Sequence, residues 1–574
     1  MNLPPPLAAL FSKNPSSPKV LEIDLARGVL AAPPDSPLAA LKMLNAASMH
    51  ALRDGLREAA HDDRVAGLVV RVSDGSGLGV AHLQELGDMV AAFGRTKPTV
   101  AWAETFGELG GALPLYAFAT RARQVWLQPS GQVGLVGVSV SITLLRGLLE
   151  KGGIEPEFAQ RKEYKSAGEQ FSAHEISDAN REMAQRLADS VLEEAVNTIA
   201  AERGLEPARV RELVDQGMLT PDEALAAGLV DRIGYRDEVY SAVLAEWSGS
   251  TEGLQFVHRY NAATAPRRTA GRALNRKGPE IGVVSLRGGI VTGRGRPGGG
   301  PGGQSVGADV VSEHLRAAAA DERIKAVVLR IDSPGGSAVA SDTIWRAVQQ
   351  VRDQGKPVVA QMGAVAASGG YYSAMGADRI LALPSTLTGS IGVVAGKFVL
   401  EQTYKKLGLA HEGLAAGKHA GMLESDRRLT EEEWQILNTW LDRVYDDFVA
   451  KAARGRNMDV ADLEPLARGR VWTGRDAHER GLVDEIGGLE QAVEQACTLA
   501  GLPRDKVTLK QVPALGLLAR FQPANSSESI GGGGGLMLPD SGPEALLQRG
   551  LALLGSPLQL PFGALTMPWS FTLR

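Results

Sequence analysis

A chain of 574 residues, 44% hydrophobic and 22% charged, has the composition of a soluble protein with a large core, and its net charge of −5 makes no case for nucleic acid. The single cysteine, Cys497, lies in the helical pattern EQAVEQACTLAGL, which excludes intrachain disulfides and reads as a small buried apolar residue rather than a redox centre.

In chain order, the N-terminus MNLPPPLAALFSKNPSSPK carries no basic region ahead of an apolar run, so residues 1–18 fail as a signal peptide and read as an extension. Nowhere do about 18 uncharged apolar residues follow one another, which argues against a membrane-spanning helix. From residue 19 the chain reads as one unit written twice. DDRVAGLVVRVSDGSG, from Asp62, matches DERIKAVVLRIDSPGG, from Asp321, and Lys97-Pro98 matches Lys356-Pro357 at the same spacing of 259. Pro129 then matches Pro384 at 255, and GLVDRIG, from Gly228, matches GLVDEIG, from Gly481, at 253. Small loop insertions in a duplicated domain produce such slowly drifting offsets, whereas chance similarity does not preserve their order.

Each copy alternates short β-branched runs with helical patterns: VVLRI, a glycine turn, SDTIWRAVQQVRDQG, PVVAQM, a loop, another helix. That alternation predicts an α/β fold, a tandem duplication with parallel sheets and packed helices. The expected boundaries are a first copy over 19–247, a linker over 248–278, a second copy over 279–510 and a tail over 511–574. Gly293–Gly307 is expected to be a mobile loop. Its GRGRPG is formally a GxGxxG, but Pro297 and the glycines after it cannot open the helix a dinucleotide fingerprint requires. The apolar, proline-broken stretch LLQRGLALLGSPLQLPFGALTMPWSF in the tail suits either peripheral membrane contact or a cap over a core.

Candidate chemistry concentrates in the second copy. In AVAASGGYY, Ser368 precedes Gly369 and Gly370, whose bare backbone lets a substrate carbonyl approach free N–H groups. A serine before a helix is commonly only its N-cap, so a base is needed before Ser368 reads as a nucleophile. Asp332-Ser333-Pro334-Gly335-Gly336-Ser337 supplies a second glycine turn at the carboxyl edge of the sheet, where α/β folds bind ligands. The nine histidines show no metal-ligand spacing. Asp476 and His478 follow Ser368 in the chain order of a Ser-His-Asp hydrolase, but strand PVVAQM ends about six residues before the serine, unlike the elbow of such enzymes.

AASGGYY, DSPGGS, PSTLTGSIG, VWTGRDA with GLVDEIG, and EYKSAGEQF together resemble the long, duplicated form of the signal peptide peptidase A family, from about Val20 to Leu502. The resemblance implies a ClpP/crotonase-like fold and a serine endopeptidase with a Ser/Lys dyad. It implies Ser368 as nucleophile, Lys165 as general base and Ser390 as the hydroxyl orienting the amine. Gly335, Gly336 and Gly369 are the expected oxyanion backbone, no cofactor or metal is called for, and the substrates are hydrophobic peptides such as cleaved signal peptides. A homo-oligomer, in the family a tetramer, and membrane association are also implied; members usually carry an N-terminal anchor, which this sequence lacks, so a cytoplasmic location stays open.

The two copies fit a shared site. The first-copy segment AETFGELGGALPLYAF contains no serine, and the second copy has Ala420 where Lys165 would recur. Lys165 inside KEYKSAGEQ would ordinarily be a solvated lysine; a base needs burial to bring its amine from about 10.4 to near neutrality. Lys418 is the competing amine, two residues from Ala420. A crotonase-type acyl-CoA enzyme and a catalytically silent oligomeric scaffold are the alternatives from other functional classes.

Overall fold

The computed structural model describes residues 18–31, 47–108, 110–249, 253–274, 278–295, 304–513 and 565–566. The N-terminal extension, most of the Gly293–Gly307 stretch and nearly all of the tail lie outside them. The first copy supplies β1 (Lys19–Asp24), α1 (Met49–Ala59), β2 (Val65–Arg71), β3 (Thr99–Ala103), β4 (Gln124–Leu127), α2 (Arg146–Gly152), β5 (Glu155–Gln160), α3 (Asp178–Arg203) and β6 (Arg232–Ile233), followed by β7 (Leu254–Phe256) and α4 (Val257–Leu274). The second copy supplies β8 (Glu280–Arg287), β9 (Ile324–Ser333), β10 (Gly335–Gly336), α5 (Ala338–Asp353), β11 (Val358–Ala367), α6 (Gly369–Ala374), β12 (Arg379–Ala382), β13 (Leu387–Gly389), β14 (Val394–Val399), α7 (Glu401–Lys406), α8 (Glu431–Arg456), β15 (Val471–Thr473), β16 (Glu485–Ile486) and β17 (Thr508–Val512).

The duplication is written in the strand order. The first sheet runs β6-β4-β3-β2-β1-β7, and the second contains the matching series β16-β12-β11-β9-β8-β17, every pair in both series parallel. Helices cover such strands on both faces, so residues pointing either way are apolar: in β9, Ala326, Val327, Val328 and Leu329 are all fully buried. α5 shows the complementary helical period, burying Ala340, Ile344, Ala347, Val348 and Val351, and Ser337 caps it by accepting from the Ala340 N–H.

The sequence landmarks do the same work in each copy. Lys97 donates to the Asp62 carbonyl, and its counterpart Lys356 donates to that of Asp321 at 2.7 Å. Asp231 holds Arg203 and the Val125 N–H; Asp484 holds Arg456 and the Ile380 N–H, each N–H at 2.7 Å.

The compact units depart from the expected boundaries in two places. Among the described residues, those within 1–137 and 195–274 form one unit, and those within 138–194 and from 278 onward form the other. Residues 138–194, written in the first copy, therefore belong to the unit built on the second. The reason is antiparallel pairing of β5 with β14, from Glu155↔Val399 to Gln160↔Val394. The stretch expected to be a linker, 248–278, contains β7, which extends the first sheet beside β1, and α4, which lies against α1. A Cβ at Gly55 of α1 would stand 2.8 Å from the Val257 side chain, so the glycine permits the close crossing.

Candidate active site

Strand β11 runs further than its sequence suggests. Beyond its pairing with β12, residues Val365, Ala366 and Ala367 pair with Leu387, Thr388 and Gly389 of β13, so the strand ends only at Ala367 and α6 begins at Gly369. This corrects the expectation that the strand stops about six residues before the serine: Ser368 sits directly on the strand-to-helix turn. Its φ of 55° is a left-handed backbone that a serine adopts only when its surroundings hold it. They do, since the Ser368 N–H donates to the Gly389 carbonyl at 2.8 Å and the Ser368 carbonyl accepts from Tyr372 at 2.8 Å. The serine occupies the N-cap position of α6, but its side chain makes no capping bond.

Ser390 follows Gly389, so the same backbone bond sets the two serines side by side. It too has a positive φ, 50°, and its N–H donates to the Arg470 carbonyl at 2.6 Å. Lys165 arrives from the other copy on the segment after β5. The Arg161 N–H donates to the Val393 carbonyl at 2.9 Å and the Tyr164 N–H to that of Arg468 at 3.1 Å, which ties this segment to the second copy immediately ahead of the lysine.

Lys165 contacts both of the serines expected to act with it. Lys165 Nζ lies 2.8 Å from Ser368 Oγ, 2.9 Å from Ser390 Oγ and 3.0 Å from the Ser390 carbonyl oxygen. All three side chains are fully buried. Burial pushes the Lys165 amine well below the ordinary lysine range. Next to the serine, Ala367 belongs to a buried apolar cluster with Met183, Leu187, Leu387 and Val471, on which Tyr164, the residue before Lys165, packs. A hydroxyl beside an amine that favours its neutral form can pass its proton to that amine.

The second glycine segment also differs from its expected shape. It is a short strand, β10, parallel to Gly289–Val291 through Ile290↔Gly336 and antiparallel to Leu565–Thr566. Gly335 and Gly336 have φ of 103° and 154°, and a Cβ at Gly336 would strike the Ile290 backbone. The Gly335 N–H donates to Ser333 Oγ at 3.1 Å, so this expected oxyanion donor is already engaged. Gly369 adjoins Gly336: a Cβ on Gly369 would stand 3.1 Å from the Gly336 nitrogen. As the first residue of α6, Gly369 has an N–H outside the helical ladder.

The other candidates lie elsewhere. Lys418 is an exposed side chain that donates to Glu432 at 2.6 Å. Asp476 is buried against Arg186, and His478 turns Nδ1 to the Val483 carbonyl at 3.3 Å. Cys497 is buried in a hydrophobic cluster with Leu489 and Val493.

Two glycines that the sequence reading passed over shape the lysine's channel. A Cβ at Gly392 would stand 3.2 Å from Lys165 Cδ, and one at Gly469 2.5 Å from the Lys165 backbone nitrogen. Gly392 closes the PSTLTGSIG motif and Gly469 lies two residues before VWTGRDA, so each stood where a close-approach glycine could have been asked about.

The model of the peptidase family S49 matches residues 91–247 and again 350–503, one match in each copy, and that of the Clp protease family matches 302–388. The chain is 35% identical to the chloroplastic serine protease SPPA of Arabidopsis thaliana, over 81% of this chain and 68% of that one. It is 30% identical to Protease 4 of Salmonella typhi over 79% of this chain and 72% of that one, and 29% identical to Protease 4 of Haemophilus influenzae over 78% and 72%. These matches make the fold a duplicated ClpP-like α/β fold and the activity that of a serine peptidase, leaving the acyl-CoA enzyme and the silent scaffold without support. With both copies matched by its model, the chain belongs to peptidase family S49.

Proposed function

We propose that this serine peptidase cleaves hydrophobic peptides, such as signal-peptide remnants, with Ser368 as nucleophile and Lys165 as general base. The observation that carries the reading is the 2.8 Å separation of Lys165 Nζ and Ser368 Oγ in a fully buried pocket. A neutral amine has two N–H donors and one lone pair. The Ser390 carbonyl can only accept, so it takes one N–H, and Ser390 Oγ takes the other. The lone pair is left facing Ser368, and Ser390 is thereby the positioning residue for the amine.

In the proposed reaction the Ser368 hydroxyl proton passes to Lys165 as Oγ attacks the scissile carbonyl carbon. The Gly369 and Gly336 N–H groups stabilise the resulting oxyanion, while Gly335, held by Ser333, fixes the bend between them. Lys165 then gives its proton to the leaving amine, and the C–N bond breaks to leave an acyl-enzyme. A water deprotonated by Lys165 releases the acid. A homo-oligomer that shields its sites belongs to the same reading. No described helix is long and apolar enough to cross a membrane.

The test is hydrolysis of an unstructured apolar peptide by Ser368→Ala, Lys165→Ala and Lys418→Ala. The first two should lose at least about a thousandfold in kcat, and the third should match the parent. Activity surviving in both of the first two would overturn the dyad.

A further inference from the structure

The turn at 467–470, just ahead of β15, grips the site three times. The Arg468 carbonyl accepts from the Tyr164 N–H at 3.1 Å, the Gly469 N–H donates to the Ile391 carbonyl at 2.8 Å, and the Arg470 carbonyl accepts from the Ser390 N–H at 2.6 Å. The residue before the lysine and the serine that holds its amine are thus fixed to one short turn. Arg468 and Gly469 both have left-handed backbone, φ 50° and 81°. An arginine stays in that conformation only when its surroundings hold it, and Arg468 donates to Glu163 at 3.0 Å and to Glu464 at 3.1 Å.

The Arg470 side chain makes a second connection between the same two places. Its guanidinium carbon stands 4.7 Å from the centre of the Tyr164 ring and 4.3 Å from that of the Trp472 ring. Nη2 donates to one oxygen of Glu182, on α3, at 2.8 Å, and the other oxygen of that carboxylate accepts from Tyr164 Oη at 2.6 Å. The side chain is 13% exposed, and its buried Nε finds no hydrogen-bond partner among the described residues, so two ring faces and one carboxylate hold it. A flat guanidinium can lie against two rings at once, which neither an ammonium nor an apolar chain reproduces. Trp472 is anchored in turn: Nε1 donates to the Leu466 carbonyl at 2.9 Å, and its backbone pairs with Thr388 of β13, two residues before Ser390.

Resting on the reading of Ser368 and Lys165 as the dyad, we infer that Arg470 is a positioning residue of the reaction: stacked between Tyr164 and Trp472, it sets the Lys165 amine and the Ser390 hydroxyl against each other and keeps the amine dry. Tyr164 and Glu182 come from segment 138–194, whereas Trp472 and Ser390 come from the second copy. The guanidinium therefore spans the same junction that the dyad spans, and acts through Tyr164 and Ser390 rather than on the substrate. The polar atoms against the amine are the two serine hydroxyls and the Ser390 carbonyl, and it is burial that holds the amine down. Without Arg470 the Tyr164 ring loses its stacking partner and Glu182 one of its two donors. The residue beside Lys165 is then free to shift, water reaches the amine, and its titration moves back toward the ordinary lysine range.

The test compares Arg470→Met in the full chain with Arg480→Met, which removes the other guanidinium at Trp472, also 4.3 Å from the ring centre, and leaves Tyr164 and Glu182 alone. On the apolar peptide, Arg470→Met should lower kcat about tenfold or more at neutral pH with KM within about twofold. The rising limb of its pH–rate profile should lie at higher pH than the parent's, so that part of the loss is regained in alkali. Arg480→Met should leave kcat and the profile as in the parent, whatever it does to Tm. Tyr164→Ala should displace the profile in the same direction, and combining it with Arg470→Met should cost little more than the larger single loss, because both act on one seat. If Arg470→Met does not fold, Arg470→Lys, which keeps the charge but not the stack, carries the same expectations. A raised KM with parental kcat would make Arg470 a substrate contact, and losses that multiply would separate it from Tyr164; either overturns the inference. So would parental kinetics and an unmoved profile in the folded Arg470 variant while Lys165→Ala is inactive, an outcome that leaves the dyad standing. Full activity in Lys165→Ala would instead remove the dyad itself.

Discussion

Gly469 lies directly against Lys165: a Cβ on the glycine would stand 2.5 Å from both the backbone nitrogen and the Cβ of the lysine. The glycine also has φ 81°, a conformation that alanine adopts at a cost of roughly 1–2 kcal/mol. Gly469→Ala must therefore push Lys165 away from Ser368, and a displacement near 1 Å is enough to lose about a hundredfold in rate. The variant should remain folded with a lowered Tm, and peptide hydrolysis and phosphonate labelling of Ser368 should both fall by about that factor. A variant with parental kinetics would show that the lysine does not need its present seat.

Burial makes Lys165 a pH sensor of a definite sign. Its folded amine titrates well below the ordinary 10.5, so the unfolded chain holds more protons in the interval between the two values. The lysine's cost to stability is absent above pH 10.5, grows as pH falls through that interval, and is constant below the folded value. Lys165→Met abolishes the titration. Its Tm advantage over the parent should widen as pH is lowered from about 10.5 to 7, read by calorimetry. Hydrolysis by the parent should rise with pH through the folded titration, since only the neutral amine accepts the serine proton.

Much of the fold was legible because the copies repeat residues with physical jobs. Lys97 and Lys356 tie down backbone carbonyls, and Asp231 and Asp484 anchor an arginine and a strand end, so their spacing marked equivalent points. The extension of β11 was not legible, because AVAA has no β-branched signature beyond one valine and becomes a strand only through β13. The segment 138–194 read as part of the first copy because chain order says nothing of the distant strand that recruits β5. Lys165 sits among polar neighbours that promise solvent, and its burial is made by residues of the other copy, notably Gly392 and Gly469. The engagement of the Gly335 N–H by Ser333 is likewise a local turn detail that the DSPGGS pattern leaves open.

Asp476 and His478 should prove structural. Asp476 is fully buried and accepts from Arg186 at 2.8 and 3.0 Å, with Arg480 at 3.4 Å. Arg186→Ala leaves that carboxylate with only the longer contact, and the expected loss of stability is roughly 2–4 kcal/mol, below the full value for an orphaned buried charge because Arg480 remains. His478→Ala should keep kcat/KM within about threefold of the parent. A large loss of activity in His478→Ala without a loss of Tm would revive a histidine-based triad.

Gly369 tests the oxyanion position separately from packing. An added Cβ would stand 2.5 Å from Ser341 Oγ and 3.1 Å from the Gly336 nitrogen. The first clash is with a removable atom; the second intrudes between the two proposed N–H donors. Gly369→Ala should therefore lower both Tm and kcat, and adding Ser341→Ala should restore part of the Tm, because that change deletes the clashing oxygen at the cost of its 2.8 Å hydrogen bond to the Ser337 carbonyl. The double variant should still hydrolyse the apolar peptide about a hundredfold or more slowly, the cost of losing an oxyanion donor. Recovery of kcat together with Tm in the double variant would mean that the Gly369–Gly336 gap holds no developing charge, and the oxyanion would have to be sought elsewhere along β10.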